Sequence, residues 1–268
     1  MLNTKEIEAL RAKQLGLLAE VDRICKKHKI QYWVDFGTLL GAVRNGRFIP
    51  WDDDIDISML AVDYERFISV AQKEVLPGFF LQTEKTDVGY FQCFAKLRDS
   101  NSTFIEHHET GNEPYNQGIF IDIFPAYHYP AMPKLLRMVM QRATVRARSA
   151  TVAYPKSFLR RAIYTGFSWF WRFMAIFPKV AFGQIPEDNG YMYATELTAL
   201  FPLSEIVFEG VLVPCPNNPH IHLRNMYGKS YMMPPPESKR VPHARLILPT
   251  TPYLIWRSTK QHRWANEY

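Results

Sequence analysis

Between Ile49 and Ser58 the chain reads IPWDDDIDIS, with aspartate at positions 52, 53, 54 and 56 and no Lys or Arg between Arg47 and Arg66. Four carboxylates so close together resist burial, because like charges about 4 Å apart repel by roughly 4 kcal/mol at an effective dielectric near 20. Yet Ile55 and Ile57 alternate with Asp54 and Asp56, and alternation of apolar and polar residues is the mark of a strand with one face on a core. With the isoleucines inward, Asp54 and Asp56 share the other face, their Cα atoms about 6.5 Å apart at roughly 3.3 Å per residue. A hard divalent cation, Mg²⁺ or Mn²⁺, takes oxygen ligands at that spacing and removes the repulsion. The competing reading is a solvated acidic turn. β-Branched residues at strand spacing and the preceding Pro50-Trp51 weigh against it.

The surroundings describe a mixed fold. Residues 4–29 carry a helical stripe of Leu10, Leu17, Val21 and Ile24. QYWVDFG (31–37) reads as a strand ended by Gly37, TLLGAVRNG as a short helix-like piece, and IDIS as a second strand. Asp63 is expected to cap a helix running to about Val75, before Pro77-Gly78 breaks it. FFLQT, YFQCFAKLR and GIFIDIF are further strands. The expected class is α+β, a mixed sheet with flanking helices, divided into a catalytic core at 1–130, a helical insertion at 131–186 and a C-terminal part at 187–268 that completes the site. YMMPPPESKRVPH is too rich in proline for regular structure.

The insertion is unlike its flanks. From 123 to 186 there are ten Lys or Arg and no Asp or Glu, and the middle, AIYTGFSWFWRFMAIF, is apolar and aromatic. It is either a buried helical element or a segment lying on an anionic membrane surface; Arg172 opposes a membrane span. The net charge of +6 suits an acidic partner. Cys25, Cys93 and Cys215 are far apart and in no CxxC pair, as expected of reduced thiols without a zinc site. The charged N-terminal helix is not a signal peptide, and no run of about 18 uncharged apolar residues marks a transmembrane helix.

In GTLLGAVR (37–44), Gly37 and Thr38 follow a strand and open a helical turn, whose free backbone N–H groups and hydroxyl suit a phosphate, and Arg44 could pair with phosphate oxygens. Strand, Gly-Thr turn, helix and an Asp-apolar-Asp-apolar strand is the order seen in the nucleotidyltransferase superfamily. A third carboxylate is then needed on a later strand, and GIFIDIFP supplies Asp122 between Ile121 and Ile123. Lys96 and Arg98 alternate in FAKLRD and so share a face, either to neutralise a leaving phosphate or as a solvated pair on an edge strand. Lys239, Arg240 and His243, held by rigid prolines, are candidates for substrate contact, whereas His107 and His108 read as solvated.

GTLLGAVR, FIPWDDDIDIS, DYERF, KLRD, GIFIDIFP, EIVFEGVLVPCP and YGKSYMMPPPESKRVPH occur in this order. Together they resemble the LicD family of phosphocholine transferases, related to the fukutin and fukutin-related ribitol-phosphate transferases. The likeness covers roughly 30–125 and 200–243 and leaves 131–186 unmatched. It implies a metal-dependent transfer of a phospho-alcohol, phosphocholine first, from a CDP-alcohol such as CDP-choline to a sugar hydroxyl of a surface glycan or its lipid-linked precursor, releasing CMP. It also implies metal ligands at Asp54, Asp56 and Asp122, with Asp52 nearby, and a cytoplasmic protein peripheral to the inner membrane face. Two other readings are a nucleotidyltransferase acting on RNA or a small molecule, and a non-catalytic membrane-surface protein that keeps the fold. No RNA-binding motif accompanies the basic residues, so no nucleic-acid partner is expected.

Overall fold

The aspartate-rich segment does enter a strand, but that strand starts at Asp56 and not at Asp54. In this computed structural model, residues 4–130, 133–154, 156–174, 179–184 and 194–265 are described. The first part runs α1 (Thr4–His28), β1 (Trp33–Val34), α2 (Phe36–Asn45), β2 (Asp56–Leu60), α3 (Ala61–Glu74), β3 (Phe79–Gln82), β4 (Ala95–Asp99), β5 (Thr103–Glu106) and β6 (Ile119–Pro130). Then come α4 (Lys134–Ala153), α5 (Phe158–Met174), β7 (Lys179–Gln184), β8 (Thr195–Glu196) and α6 (Leu197–Leu200). The chain continues through β9 (Ser204–Phe208), β10 (Val211–Cys215), α7 (Pro219–Tyr227), β11 (Ala244–Leu248) and α8 (Tyr253–Ala265). The fold is α+β, as its sequence pattern implies.

The main sheet has the order β1-β2-β6-β4-β3 and is mixed. β2 and β6 run parallel, while β1 with β2, β6 with β4 and β4 with β3 are antiparallel. The long β6 serves two partners in turn on one side, β4 along 119–123 and then β7 along 126–130. A strand from within 131–186 therefore rejoins the main sheet, and the helices α4 and α5 form the excursion between β6 and β7. α1 covers the sheet, its Leu10, Leu17, Val21 and Ile24 all buried as the stripe requires. Ile55, Ile57, Ile121 and Ile123 are fully buried, so the isoleucines do turn inward and the aspartates outward. β4 is an interior strand, which removes the edge-strand reading of Lys96 and Arg98.

Local differences from the sequence reading have physical causes. The strand expected over 31–37 stops after two residues because Asp35, in extended conformation, caps α2 and accepts a hydrogen bond from Phe36 N; Gly37 lies in the first turn of the helix. Asp63 does not cap α3. Leu60 holds the cap position, and Asp63 sits inside the first turn, paired with Arg66 at 2.8 Å. There its charge still complements the helix dipole. The proline-rich stretch is irregular apart from a 3₁₀ turn at Glu237–Lys239. Cys25, Cys93 and Cys215 are all free thiols.

Asp35 joins three elements. Its carboxylate, fully buried, accepts from Ser58 Oγ at 2.7 Å and Trp33 Nε1 at 3.1 Å and pairs with His222 Nε2 of α7 at 2.8 Å. Thr195 Oγ1 stands 2.9 Å from His222 Nδ1. Burial would raise the Asp35 pKa, but His222 and the other donors outweigh it and hold it below the ordinary carboxylate range. Asp35→Ala leaves His222, Ser58 and Trp33 buried without their acceptor. It is expected to cost about 3–5 kcal/mol in urea-induced unfolding; a loss under about 1 kcal/mol would show that the network is not closed.

Candidate active site

The register of three neighbouring strands builds the centre of the site. Asp56 on β2 lies beside Asp122 on β6 in the parallel pair, and Lys96 on β4 lies beside Asp122 on its other side. Asp54, in the extended lead-in to β2, completes the cluster. One carboxylate oxygen each of Asp54, Asp56 and Asp122 lie within 4.8 Å of one another. A second group, Asp52, Asp54 and His243, meets the same limit, so Asp54 belongs to both.

These residues line one side of a cavity of about 530 Å³, within the usual range for small-molecule sites. Further polar groups come from Lys96, Glu106 and His108, and aromatic ones from Phe36, Phe91, Phe94, Phe124 and Tyr227. The Phe124 ring stands 5.2 Å from that of Phe36 and 4.5 Å from that of Phe94, so these three form a continuous wall. Tyr32, Trp33 and Tyr90, also near the motifs, are buried in the interior.

Each sequence-derived residue has a definite place. Gly37 lines the cavity, and a Cβ there would overlap the Asp52 carboxylate, so only glycine lets Asp52 lie against the first turn of α2. Thr38 is buried and its Oγ1 accepts from Asp56 N at 2.8 Å, fixing the start of β2. Lys96 is buried, with Nζ 3.0 Å from Asp122, 3.3 Å from Glu106 and 3.3 Å from the centre of the Phe120 ring. His243 Nδ1 stands 3.1 Å from Asp54 and 3.2 Å from Asp53. Arg44, Arg98, Lys239 and Arg240 are not among the lining residues. Arg44 donates to the carbonyls of Tyr231 and Met233, and Arg98 donates to Gln82 Oε1 at 2.6 Å and Gly118 O at 2.7 Å. Arg240 lies over the Trp51 ring at 4.8 Å, and Lys239 is exposed.

Three participants had no role in the sequence reading. Asp53 turns away from the cluster and accepts from His243 N at 3.0 Å and Ala244 N at 2.8 Å, which clamps the proline-rich segment over the site. Glu106 pairs with Lys96, and His108, read as solvated, lines the cavity. An acidic residue at the end of a strand signals neither role; only the pairing of β5 with β11 brings 106–108 to the 243 loop.

The electrostatics are those of a site under tension. Burial raises the Asp122 pKa to about 7 against the opposing pull of Lys96. Burial, then the Asp54 charge, drives Asp56 and Asp52 well above the ordinary range. For Asp54, burial acts upward too, but the hydrogen bond and charge of His243 outweigh it and the pKa falls. Bonds to Asp53 and Asp54 push His243 up to about 12. Asp122 Oδ1 is buried and receives no well-aligned hydrogen bond, Lys96 Nζ standing 3.0 Å away outside hydrogen-bonding angles. An orphaned carboxylate oxygen among three converging carboxylates is the donor set of a hard divalent cation, and the residues fit Mg²⁺ or Mn²⁺.

Known proteins share much of this sequence. Residues 29–179 match the family described as LicD/FKTN/FKRP, nucleotidyltransferase domain, so the likeness runs on through most of 131–186, which the motifs alone leave unmatched. The chain is 29% identical to the lipopolysaccharide cholinephosphotransferase LicD of Haemophilus influenzae, over 87% of this chain and 95% of that protein. It is 26% identical to the ribitol 5-phosphate transferase FKRP of Mus musculus, over 53% of this chain and 24% of that protein. The match to FKRP of Homo sapiens has the same extent.

The shifts set a pH dependence. Between its ordinary value near 4 and about 7, Asp122 is protonated in the folded protein and ionised in the unfolded one. Its contribution to stability is therefore full below the lower value and lost as pH rises through the upper. Asp52, Asp56 and His243, all raised, act in the same direction, and the lowered Asp54 contributes above its ordinary value. With EDTA present, Tm is expected to fall from pH 5 to pH 8, and Mn²⁺ to raise Tm more at pH 8 than at pH 5. A chelated protein whose Tm rises over that interval would contradict the burial of mutually repelling carboxylates.

Proposed function

Because the chain belongs to the LicD/FKTN/FKRP nucleotidyltransferase-domain family and is a phosphotransferase enzyme, we propose that it moves a phospho-alcohol, phosphocholine first, from a CDP-alcohol to a sugar hydroxyl of a surface glycan or its lipid-linked precursor. The carrying observation is the pairing of Asp56 with Asp122 across β2 and β6, with Asp54 beside them, at the side of a cavity with an aromatic wall.

In this reading the acceptor hydroxyl gives its proton to the Asp122 carboxylate as its oxygen bonds to the phosphorus that carries the alcohol, the bond from that phosphorus to the bridging oxygen breaks, and CMP leaves with the electron pair. Asp54, Asp56 and Asp122 would hold Mg²⁺ or Mn²⁺, with Asp52 at the neighbouring position. When bound, the cation neutralises the pyrophosphate and lowers the barrier by electrostatic stabilisation. Lys96 brings positive charge beside the carboxylates, and its pairing with Glu106 and Asp122 keeps it fixed. The first turn of α2 at Gly37 faces the donor phosphates with backbone N–H groups. Asp53 and His243 hold the proline-rich segment in place. Arg44 and Arg98 act as framework, since Nη2 of Arg44 and Nε and Nη1 of Arg98 donate to carbonyl and amide oxygens away from the cavity.

The Phe36–Phe124–Phe94 wall with the more exposed Phe91 supports choline as the alcohol, because aromatic faces attract a quaternary ammonium. Ribitol or glycerol would instead want hydroxyl partners. We place the protein in the cytoplasm at the inner face of the membrane, where nucleotide donors and lipid-linked acceptors meet.

The test is CMP release with CDP-choline, CDP-ethanolamine, CDP-ribitol and CDP-glycerol, each with Mg²⁺ or Mn²⁺ and a soluble sugar acceptor. CDP-choline is expected to be turned over fastest, EDTA to stop the reaction, and Asp56→Asn to lower the rate by more than about a hundredfold, the upper end for loss of an outer-sphere partner at a metal site. Undiminished turnover in Asp56→Asn would overturn the mechanism. CMP release with none of these donors, while nucleoside triphosphates are consumed, would make it a nucleotidyltransferase.

A further inference from the structure

α4 and α5 form an antiparallel hairpin. Thr151 Oγ1 meets Arg160 O at 3.3 Å near the turn, and Trp171 Nε1 meets Thr144 Oγ1 at 2.9 Å farther along. At about 100° per residue, Tyr164, Phe167, Ser168 and Trp171 fall on one side of α5 and are half-buried, as are Arg160, Phe170 and Met174. The opposite side carries Phe158, Leu159, Ile163, Gly166, Trp169 and Phe173, every one of them exposed. Phe158 is 85% exposed, Leu159 68% and Trp169 64%. On α4, Leu135, Leu136 and Val139 are exposed as well. A core element would need this apolar side covered, and here it is exposed.

Contiguous exposed apolar side chains mark an interaction surface, and the charge around them selects the partner. The ten basic residues of 123–186, with no acidic one, include the exposed Arg142, Arg146 and Arg161. An apolar helix face beside purely basic charge is complementary to an anionic lipid surface: aromatic and aliphatic side chains enter the acyl boundary and the guanidinium groups meet the headgroups. No described helix is long and apolar enough to cross a membrane, so the contact lies in the plane of the interface.

We propose that the α4–α5 hairpin is a docking face for an anionic membrane. It also sets where the cavity stands. Arg148 Nη2 of α4 donates to the carbonyl of Phe91 at 3.3 Å, and Phe91 lines the cavity. The docked hairpin therefore holds the aromatic rim of the cavity close to the lipid surface. The proposal deepens the membrane placement given above and rests on that reading for its biological sense, but its physical content does not depend on the chemistry of the site.

The test is co-sedimentation of the full chain with vesicles of phosphatidylcholine alone or with about 30 mol% phosphatidylglycerol. Binding is expected to the anionic vesicles only and to weaken as salt is raised. Two triple variants at exposed positions, Phe158→Ser/Leu159→Ser/Ile163→Ser and Arg142→Glu/Arg146→Glu/Arg161→Glu, are each expected to weaken it at least about tenfold. Neither should change the circular dichroism spectrum or CMP release with a soluble acceptor. Equal binding to both vesicle types, or none to either, would overturn the proposal. So would a wild-type dimer dissociated by the serine variant, which would make a second copy the occupant, or unfolding of that variant, which would make the face core. CMP release with the soluble acceptor reports on the reaction separately, so failure of one reading does not pass for failure of the other.

Discussion

Asp56 and Asp122 are neighbours because β2 and β6 run parallel in one register, and much of the rest of the site follows from keeping two buried carboxylates side by side. Parallel neighbours are normally apolar on both faces. Here the inward face obeys that rule, with Ile55, Ile57, Ile121 and Ile123 fully buried. The outward face violates it with the two aspartates and Asp54. The apolar half of each strand supplies the stability that lets the acidic half persist. Such a conflict between local rule and fold is a common signature of a functional site.

The surrounding chain contains the repulsion rather than removing it. Lys96 stands between Asp122 and Glu106, and His243 between Asp53 and Asp54. Two cations against this many carboxylates leave an excess of negative charge, which is why burial lifts Asp122, Asp56 and Asp52 above the ordinary range. Behind this layer, Asp35 fixes the start of α2 from within the core, and Thr38 fixes the start of β2. Both bonds are short in reach and fully buried, so the first turn of α2 meets the Asp52 carboxylate in a defined position.

The parts of this arrangement that rest on local periodicity were legible in the sequence. The two-residue alternation of Asp with Ile revealed the inward and outward faces of β2 and β6, and the stripe of α1 revealed its buried side. What depended on distant pairing was not legible. Arg98 looks like a phosphate-binding residue in FAKLRD, but its Nε and Nη1 donate to Gln82 of β3 and the carbonyl of Gly118, and it does not line the cavity. His108 is exposed, as its sequence suggests, but only the β5–β11 pairing shows that it reaches the cavity. The aromatic wall is drawn from α2, the 90–94 segment and β6, and no local pattern joins Phe36, Phe94 and Phe124. Asp35 looks like an ordinary strand residue, because its partner His222 is 187 positions away.

The central claim is that these carboxylates converge to hold a divalent cation, and Asp54 is the residue common to both groups. The most direct measurement is Mn²⁺ binding followed by electron paramagnetic resonance, in the wild type and in Asp54→Asn, with folding checked by circular dichroism. The wild type is expected to bind Mn²⁺ and the folded Asp54→Asn protein to have lost that binding. Undiminished Mn²⁺ binding by Asp54→Asn, or none by the folded wild type, would contradict it.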